Sequence, residues 1–313
     1  MTPQFPTESL TTRSLILRIP GLKLIEKIGE GGMSTVWKAW DVAGQRLVAV
    51  KILNREFSAS GEDVRAFREE ERLMEEIHHP NIVEAYDFNN GNGNWFFMME
   101  YVDGYTFASL LQRHGCVAEP DCILICESVA AALDYAWNDH GLVHCDIKPE
   151  NIMINSQGVV KLTDLGISHR FEFRENGRQD VPEHVTGTPA YISPEQVYGD
   201  VELDCRTDIY SLGATLYHLA TGRVLFPSLG ADDSMRAQCD DGTQASDPRE
   251  IKPEISEGFA QLLEAMLVKN RDDRIQSWKD VFEMCKLVER GAAFKPRETE
   301  GVSSIRLAYG TRR

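Results

Sequence analysis

The chain has 313 residues, 42% of them hydrophobic, with a formal charge of −16 and an isoelectric point near 5.0. That length and apolar content suffice for a core in each of two lobes, and the acidity argues against general nucleic-acid binding. No eighteen-residue apolar run and no signal-peptide pattern is present, and the seven cysteines show no Cys-x-x-Cys or zinc spacing, so the expectation is a chain without a membrane span in a reducing, cytoplasmic compartment.

Residues 1–20 are polar and punctuated by proline, which predicts a loosely held arm. Leu22, Leu24 and Ile28 on one side, and Val36, Trp37 and Trp40 on the other, predict two strands around Gly29-Glu30-Gly31-Gly32. Gly29 and Gly31 are two apart, with Ser34 where a fuller glycine pattern would place a third. Glycines let a hairpin backbone approach a triphosphate and permit positive φ, although a glycine pair also makes ordinary turns. The run Leu47–Leu53 is an apolar strand with one lysine, Lys51. A buried lysine needs anions, which phosphate oxygens and a carboxylate would supply; the alternative is an edge-strand lysine pointing to solvent.

Phe67, Glu70, Met74 and Ile77 follow at offsets of three, four and three, so they share one helical face. An acid on that apolar face is unexpected unless paired, which makes Glu70 the partner for Lys51. Glu71 competes, being four residues from Phe67, while Glu69, Glu75 and Glu76 read as solvated. Trp95–Gly104 then reads as a strand running into an apolar connection, and a β-rich lobe over 21–102 gives way to a helical lobe over 103–289. A flat, apolar purine suits an apolar slot that offers free backbone groups.

The stretch Val143–Gly166 carries the most chemistry. Asp146, Lys148, Asn151 and Asp164 alternate with short apolar runs that can form buried β segments holding polar residues at their ends. Asp146 is a candidate proton acceptor, Lys148 a compact charge for a phosphoryl group, and Asn151 with Asp164 a pair of hard oxygen ligands for Mg²⁺. Around this stretch, Cys122–Trp137 and Thr207–Thr221 read as helices, the second apolar at its centre and so buried. Residues 227–258, with Asp232, Asp233, Asp240 and Asp241, read as polar loops. The tail over 290–313 is basic, with Lys295, Arg297, Arg306, Arg312 and Arg313. It can fold back on the acidic body, contact a partner or stay disordered, and disorder is the expectation.

In order and spacing, these segments resemble a protein kinase from Leu22 to Val288. The wording Gly-Gly-Met-Ser-Thr-Val, Pro-Ala-Tyr-Ile-Ser-Pro-Glu-Gln and Tyr-Ser-Leu-Gly-Ala-Thr-Leu-Tyr is similar to that of bacterial, eukaryotic-like (Hanks-type) serine/threonine kinases. The resemblance implies an α+β, two-lobed fold: a small antiparallel β-sheet lobe with one regulatory helix, and a larger, mainly helical lobe. It implies ATP and Mg²⁺ as cofactors and a protein substrate with a serine or threonine acceptor. By the same resemblance, Ile28, Gly29, Gly31 and Ser34 lie over the nucleotide, and Val36, Ala49 and Met153 sandwich the adenine. Met99 is the gatekeeper, and the Glu100 carbonyl with the Val102 amide meets the adenine edge. Lys51, fixed by Glu70, holds the α/β-phosphates. Asp146 orients the acceptor hydroxyl and takes its proton, Lys148 steadies the γ-phosphate, and Asn151 and Asp164 hold metal.

Further along, Thr186–Glu195 resembles the end of an activation segment, and Thr188 with Lys148 implies serine/threonine specificity. Asp208 corresponds to the family's brace for the catalytic loop and Arg274 to the partner of Glu195. The pattern is broken at Ser34, at Cys145 (arginine in the motif), at Leu165 (phenylalanine) and at Ser193 (alanine). Cys145 and Leu165 are the grounds for an alternative, a pseudokinase scaffold, while the peptide-loop residues disfavour small-molecule phosphotransfer. A neutral cysteine cannot gather a phosphate as a guanidinium does, so phosphorylation of Thr186 is not expected to be the main switch.

Overall fold

The structure, a computed structural model, describes residues 19–58, 60–164, 169–170, 187–200, 202–227 and 230–291, with backbone alone at Glu62, Ala66, Glu69, Glu70, Glu71, Leu73, His169 and Arg170. The described residues divide into two units. One takes those up to Ala66 together with Tyr86–Tyr101, and the other takes Phe67–Ala85 and those from Val102 onward. The expected basic tail and all but the end of the expected N-terminal arm lie outside the described residues.

The first unit is built on a five-stranded sheet. In chain order the elements up to Tyr101 are β1 (Leu22–Glu30), β2 (Ser34–Asp41), β3 (Arg46–Leu53), α1 (Arg55–Ser58), α2 (Gly61–Glu75, divided between the units), β4 (Ala85–Gly91) and β5 (Asn94–Glu100). The sheet order is β1-β2-β3-β5-β4, and β3 pairs antiparallel with both β2 and β5. Period-two alternation sends Val48, Val50 and Ile52 of β3 to one face, where they join Ala39, Phe96 and Ile19 in an apolar cluster. Asn92 and Gly93, with φ of 54° and 78°, make the two-residue turn between β4 and β5, where both positions need the left-handed region. The unit boundary falls inside α2, so the buried Phe67, Met74 and Ile77 are counted with the second unit.

The second unit continues with β6 (Gly104–Thr106), α3 (Phe107–His114), α4 (Glu119–His140), β7 (Leu142–Val143), β8 (Ile152–Asn155), β9 (Val160–Leu162), β10 (His169–Arg170), α5 (Pro194–Tyr198), α6 (Cys205–Thr221), α7 (Ala231–Cys239), α8 (Pro248–Ile251), α9 (Glu257–Met266) and α10 (Trp278–Glu289). An antiparallel β-sheet unit followed by a mainly helical one is the α+β division that the sequence implied. The core of the helical unit is α6, buried along nearly all of its length and capped by the Asp204 carboxylate. A Cβ on Gly213 would stand 2.8 Å from that of Met266, so glycine is what lets α6 approach α9 this closely. On α4, Cys126 faces Cys285 of α10 with 3.6 Å between the sulfurs. The segment after α2 is tied to β9: Leu162 donates to the Asn81 carbonyl (2.7 Å), Val83 donates to the Leu162 carbonyl (2.9 Å), and the Asn81 amide reaches the Val160 carbonyl (2.8 Å).

The region over 227–258 differs from its expectation, since it holds α7 and α8 where polar loops were read. Asp232 and Asp233 fall in the first turn of α7, where acids suit the helix dipole, and its buried face carries Ser234 and Gln238. A polar buried face leaves no apolar period to read.

Candidate active site

In the first unit, β1 and β2 form the hairpin over the glycine run, with Gly29 opposite Val36 and the Gly31 amide donating to the Ser34 carbonyl at 2.8 Å. Neither Gly29 nor Gly31 uses positive φ. What these glycines supply is a bare hairpin edge, and a Cβ on Gly29 would meet that of Val36 at 3.4 Å. Ser34 and Ala49 are buried, Val36 is half-buried and Ile28 is exposed. Lys51 on β3 is half-buried, with its ammonium 5.5 Å from the Phe97 ring centroid. Ala49 pairs with Met99 of β5, and Val48 with Glu100. Glu70 lies on α2, but its side chain is outside the described residues.

In the second unit the chemistry-bearing turn runs between β7 and β8. Val143, His144, Cys145 and Ile147 are almost wholly buried, while Asp146 and Lys148 are partly exposed. Pro149 opens a single 3₁₀ turn that ends at Asn151 and feeds β8, a position where its missing N–H costs nothing. Strand β6 then crosses β8 so closely that a Cβ on Gly104 would collide with the Ile154 carbonyl. Met153, half-buried, pairs with Thr106 and Lys161 across this small sheet, and Val102 is buried just before it.

The turn is held from α6. Asp208 accepts from the amides of His144 (2.7 Å) and Cys145 (2.8 Å), and the Thr215 hydroxyl, two helical turns on, donates to the Ile147 carbonyl at 3.1 Å. Burial pushes the Asp208 carboxyl up to about 6, against the pull of the two amides it accepts from. His144 is oriented on both sides. Its Nδ1 accepts from the Asp146 amide (3.3 Å), so its Nε2 carries the hydrogen directed to the Thr163 carbonyl (3.2 Å).

The Asp146 carboxylate is the hub. Its Oδ1 accepts from the Thr188 hydroxyl (2.7 Å), and its Oδ2 meets the Lys148 ammonium (2.5 Å) and the Asn151 amide nitrogen (3.2 Å). Lys148 closes the triangle by donating to Thr188 Oγ1 at 2.8 Å. Asn151 also donates to the Asp146 carbonyl (2.9 Å), which commits its nitrogen and leaves its oxygen for a cation. Asp164, exposed, adopts the left-handed region with φ of 62°, a conformation that aspartate tolerates better than most residues. Within this unit the sequence-derived Asp146, Lys148 and Asn151 thus come together, joined by Thr188. Leu165 and Thr186 lie outside the described residues.

Cys145 packs inward. It has φ of 68° and is 1% exposed, and its side chain joins Val143, Leu203 and half-buried Trp137. Beyond Thr188, the Tyr191 hydroxyl pairs with His218 Nδ1 at 2.8 Å. Burial raises the tyrosine and lowers the histidine, with Glu150 adding to the first shift and opposing the second, so each shift favours the neutral form. Glu195 and Arg274 form a buried pair, as the resemblance implied. Sequence reasoning missed Thr215, His218, Gln196 and Gln238. Gln196 reaches the Cys145 carbonyl, and Gln238 takes the Tyr210 hydroxyl and donates to the Ala190 carbonyl at 3.2 Å. A signal existed only for Gln196, in the capping-box spacing Ser193-Pro-Glu-Gln.

Residues 22–285 match the model of the protein kinase domain. The chain is 34% identical over 262 residues to a probable serine/threonine-protein kinase of Clostridium acetobutylicum, covering 83% of this chain and 39% of that protein. It is 32% identical to the probable serine/threonine-protein kinase PknB of Lactococcus lactis, covering 89% and 43% respectively. To the serine/threonine-protein kinase PrkC of Bacillus subtilis it is 35% identical, covering 67% and 32%. The chain therefore spans about two fifths or less of the length of these curated relatives.

Proposed function

The chain belongs to the protein kinase domain family, and on that premise we propose that it transfers the γ-phosphate of ATP to serine or threonine hydroxyls of a protein substrate, with Mg²⁺. The observation that carries this reading is the triangle of Asp146, Lys148 and Thr188. It sets a carboxylate, an ammonium and a hydroxyl within hydrogen-bond reach, which is the arrangement needed to receive an acceptor hydroxyl beside a phosphoryl group.

In this reading an incoming hydroxyl donates to the Asp146 carboxylate beside the Thr188 hydroxyl, and Asp146 accepts its proton as the oxygen attacks the γ-phosphorus and the bond to the departing ADP breaks. Lys148 stabilises charge on the transferring group. The Asn151 carboxamide oxygen and the Asp164 carboxylate are hard donors that suit Mg²⁺, which when bound would neutralise phosphate charge. Lys51 is assigned the α/β-phosphates with Glu70 as its partner. Ile28, Gly29, Gly31, Ser34, Val36, Ala49, Met99, Glu100, Val102 and Met153 are assigned to the nucleotide. The scaffold alternative loses force at Cys145, whose inward packing removes no phosphate-contacting group. Among the described residues no helix is long and apolar enough to cross a membrane; a cytoplasmic location and lobes bounded at 21–102 and 103–289 are part of this proposal.

Purified protein incubated with Mg²⁺, labelled ATP and a generic basic protein should label serine or threonine. Asp164→Asn and Lys51→Met should each abolish labelling, with thermal stability without nucleotide little changed. Substantial transfer by both variants would refute the site assignment, and absence of transfer by the wild type would refute the activity.

A further inference from the structure

Cys145 is a non-glycine residue in the left-handed region, with φ of 68°, directly before Asp146. Such a conformation is unfavourable for a residue with a side chain and persists only where its surroundings over-determine it. On the amide side the determinant is Asp208 Oδ1 (2.8 Å). On the carbonyl side it is Gln196, whose Nε2 donates to the Cys145 oxygen at 2.9 Å from a position 5% exposed. The orientation of that carboxamide is fixed by chemistry. Its oxygen takes the Ser193 amide (3.2 Å) and hydroxyl (3.1 Å), and an amide N–H can only donate, so the nitrogen must face the Cys145 carbonyl. Gly187 closes the same pocket, since a Cβ there would stand 3.3 Å from the Cys145 oxygen.

We propose that Gln196 is a positioning residue for the reaction, gripping the Cys145 carbonyl while Asp208 grips its amide, so that the start of α5 sets the orientation of Asp146. Ser193, where the family motif has alanine, completes the device by aiming the carboxamide. Its effect on rate rests on the kinase reading given above; the grip itself does not. The link also joins the end of the peptide-docking segment to the catalytic turn, so a shift of α5 is passed to Asp146 through the Gln196 carboxamide.

Gln196→Glu separates the two roles of this side chain. Glutamate still accepts from Ser193 as a capping-box residue, but turns an oxygen toward the Cys145 carbonyl. Gln196→Leu removes both functions and serves as the second variant. Backbone hydrogen exchange at His144 and Cys145 should rise about fivefold in each folded variant, with α9 unchanged. The kcat for protein substrate should fall about tenfold while KM for ATP holds, a split that a merely structural residue would not produce. Unchanged exchange in the folded variants overturns the proposal, as does raised exchange with wild-type kcat. If neither variant folds, Gln196 is a core residue and the proposal fails. Should the wild type transfer no phosphate, the kinase reading falls, and exchange alone still decides whether the grip exists.

Discussion

Arg274 grips Glu195 through two N–H donors at 2.7 and 3.0 Å, with neither side chain more than 4% exposed. Burial would raise the Glu195 carboxyl, but Arg274 and the Thr207 hydroxyl outweigh it and bring it below the usual carboxylate range. The guanidinium also donates to the carbonyls of Arg206, Val268 and Lys269. Arg274→Met would therefore leave an uncompensated buried carboxylate and should cost about 3–5 kcal/mol. Pairing it with Glu195→Gln should recover part of the loss, as urea unfolding of the single and double variants would show. Equal losses that simply add would contradict the pair.

Thr188 touches both Lys148 and Asp146 through one oxygen. Thr188→Ser keeps that oxygen and should retain transfer within about threefold, whereas Thr188→Val removes it and should lose on the order of 10² in kcat. Steady-state rates on one protein substrate decide the matter, and equal rates for the two variants would remove the hydroxyl from the mechanism.

For Asp208, burial dominates and its folded value of about 6 lies above the ordinary aspartate value. Its contribution to stability is therefore fully present below the unfolded value, near 4, and is lost as pH rises through 6. Asp208→Asn lacks this slope and turns an NH₂ toward one of the two backbone donors, costing about 1–3 kcal/mol at any pH. The stability gap between wild type and variant should widen by about 1 kcal/mol from pH 7.5 to pH 5. Denaturant titrations at the two pH values test this, and a gap that narrows toward acid would contradict it.

Restoring the family's arginine with Cys145→Arg should harm the fold rather than improve regulation. The side chain would enter the apolar cluster of Val143, Leu203 and Trp137 with its charge unpaired. A loss of at least about 3 kcal/mol is expected, readable as a fall in melting temperature. A variant as stable as the wild type would show that the cluster opens to solvent.

Motif spacing made Asp146, Lys148, Asn151, Asp208 and the Glu195–Arg274 pair legible, because each depends on residue types whose charge or donor geometry admits few substitutes. The strand over Leu47–Leu53 was legible from its apolar run, with Lys51 as the one charge in it. What escaped was polar and buried. Gln238 inside α7 and Thr215 on α6 carry no apolar period, and their partners are backbone carbonyls that any residue could provide. Cys145 read as a lost arginine, whereas its left-handed backbone and inward packing follow from contacts 50 or more residues away, at Gln196 and Asp208.

The tie between Asn81, Val83 and β9 bears on how this protein can be divided. A fragment begun at Val102 would lose the three hydrogen bonds that cover Val160 and Leu162, along with the buried Phe67, Met74 and Ile77. Leu162 would keep its place in sequence but face water with its amide and carbonyl bare. The boundary that the sequence suggests would therefore sever this tie. A split protein cut there needs residues 67–85 returned as a separate peptide, and a cut before Phe67 would keep the tie in one piece.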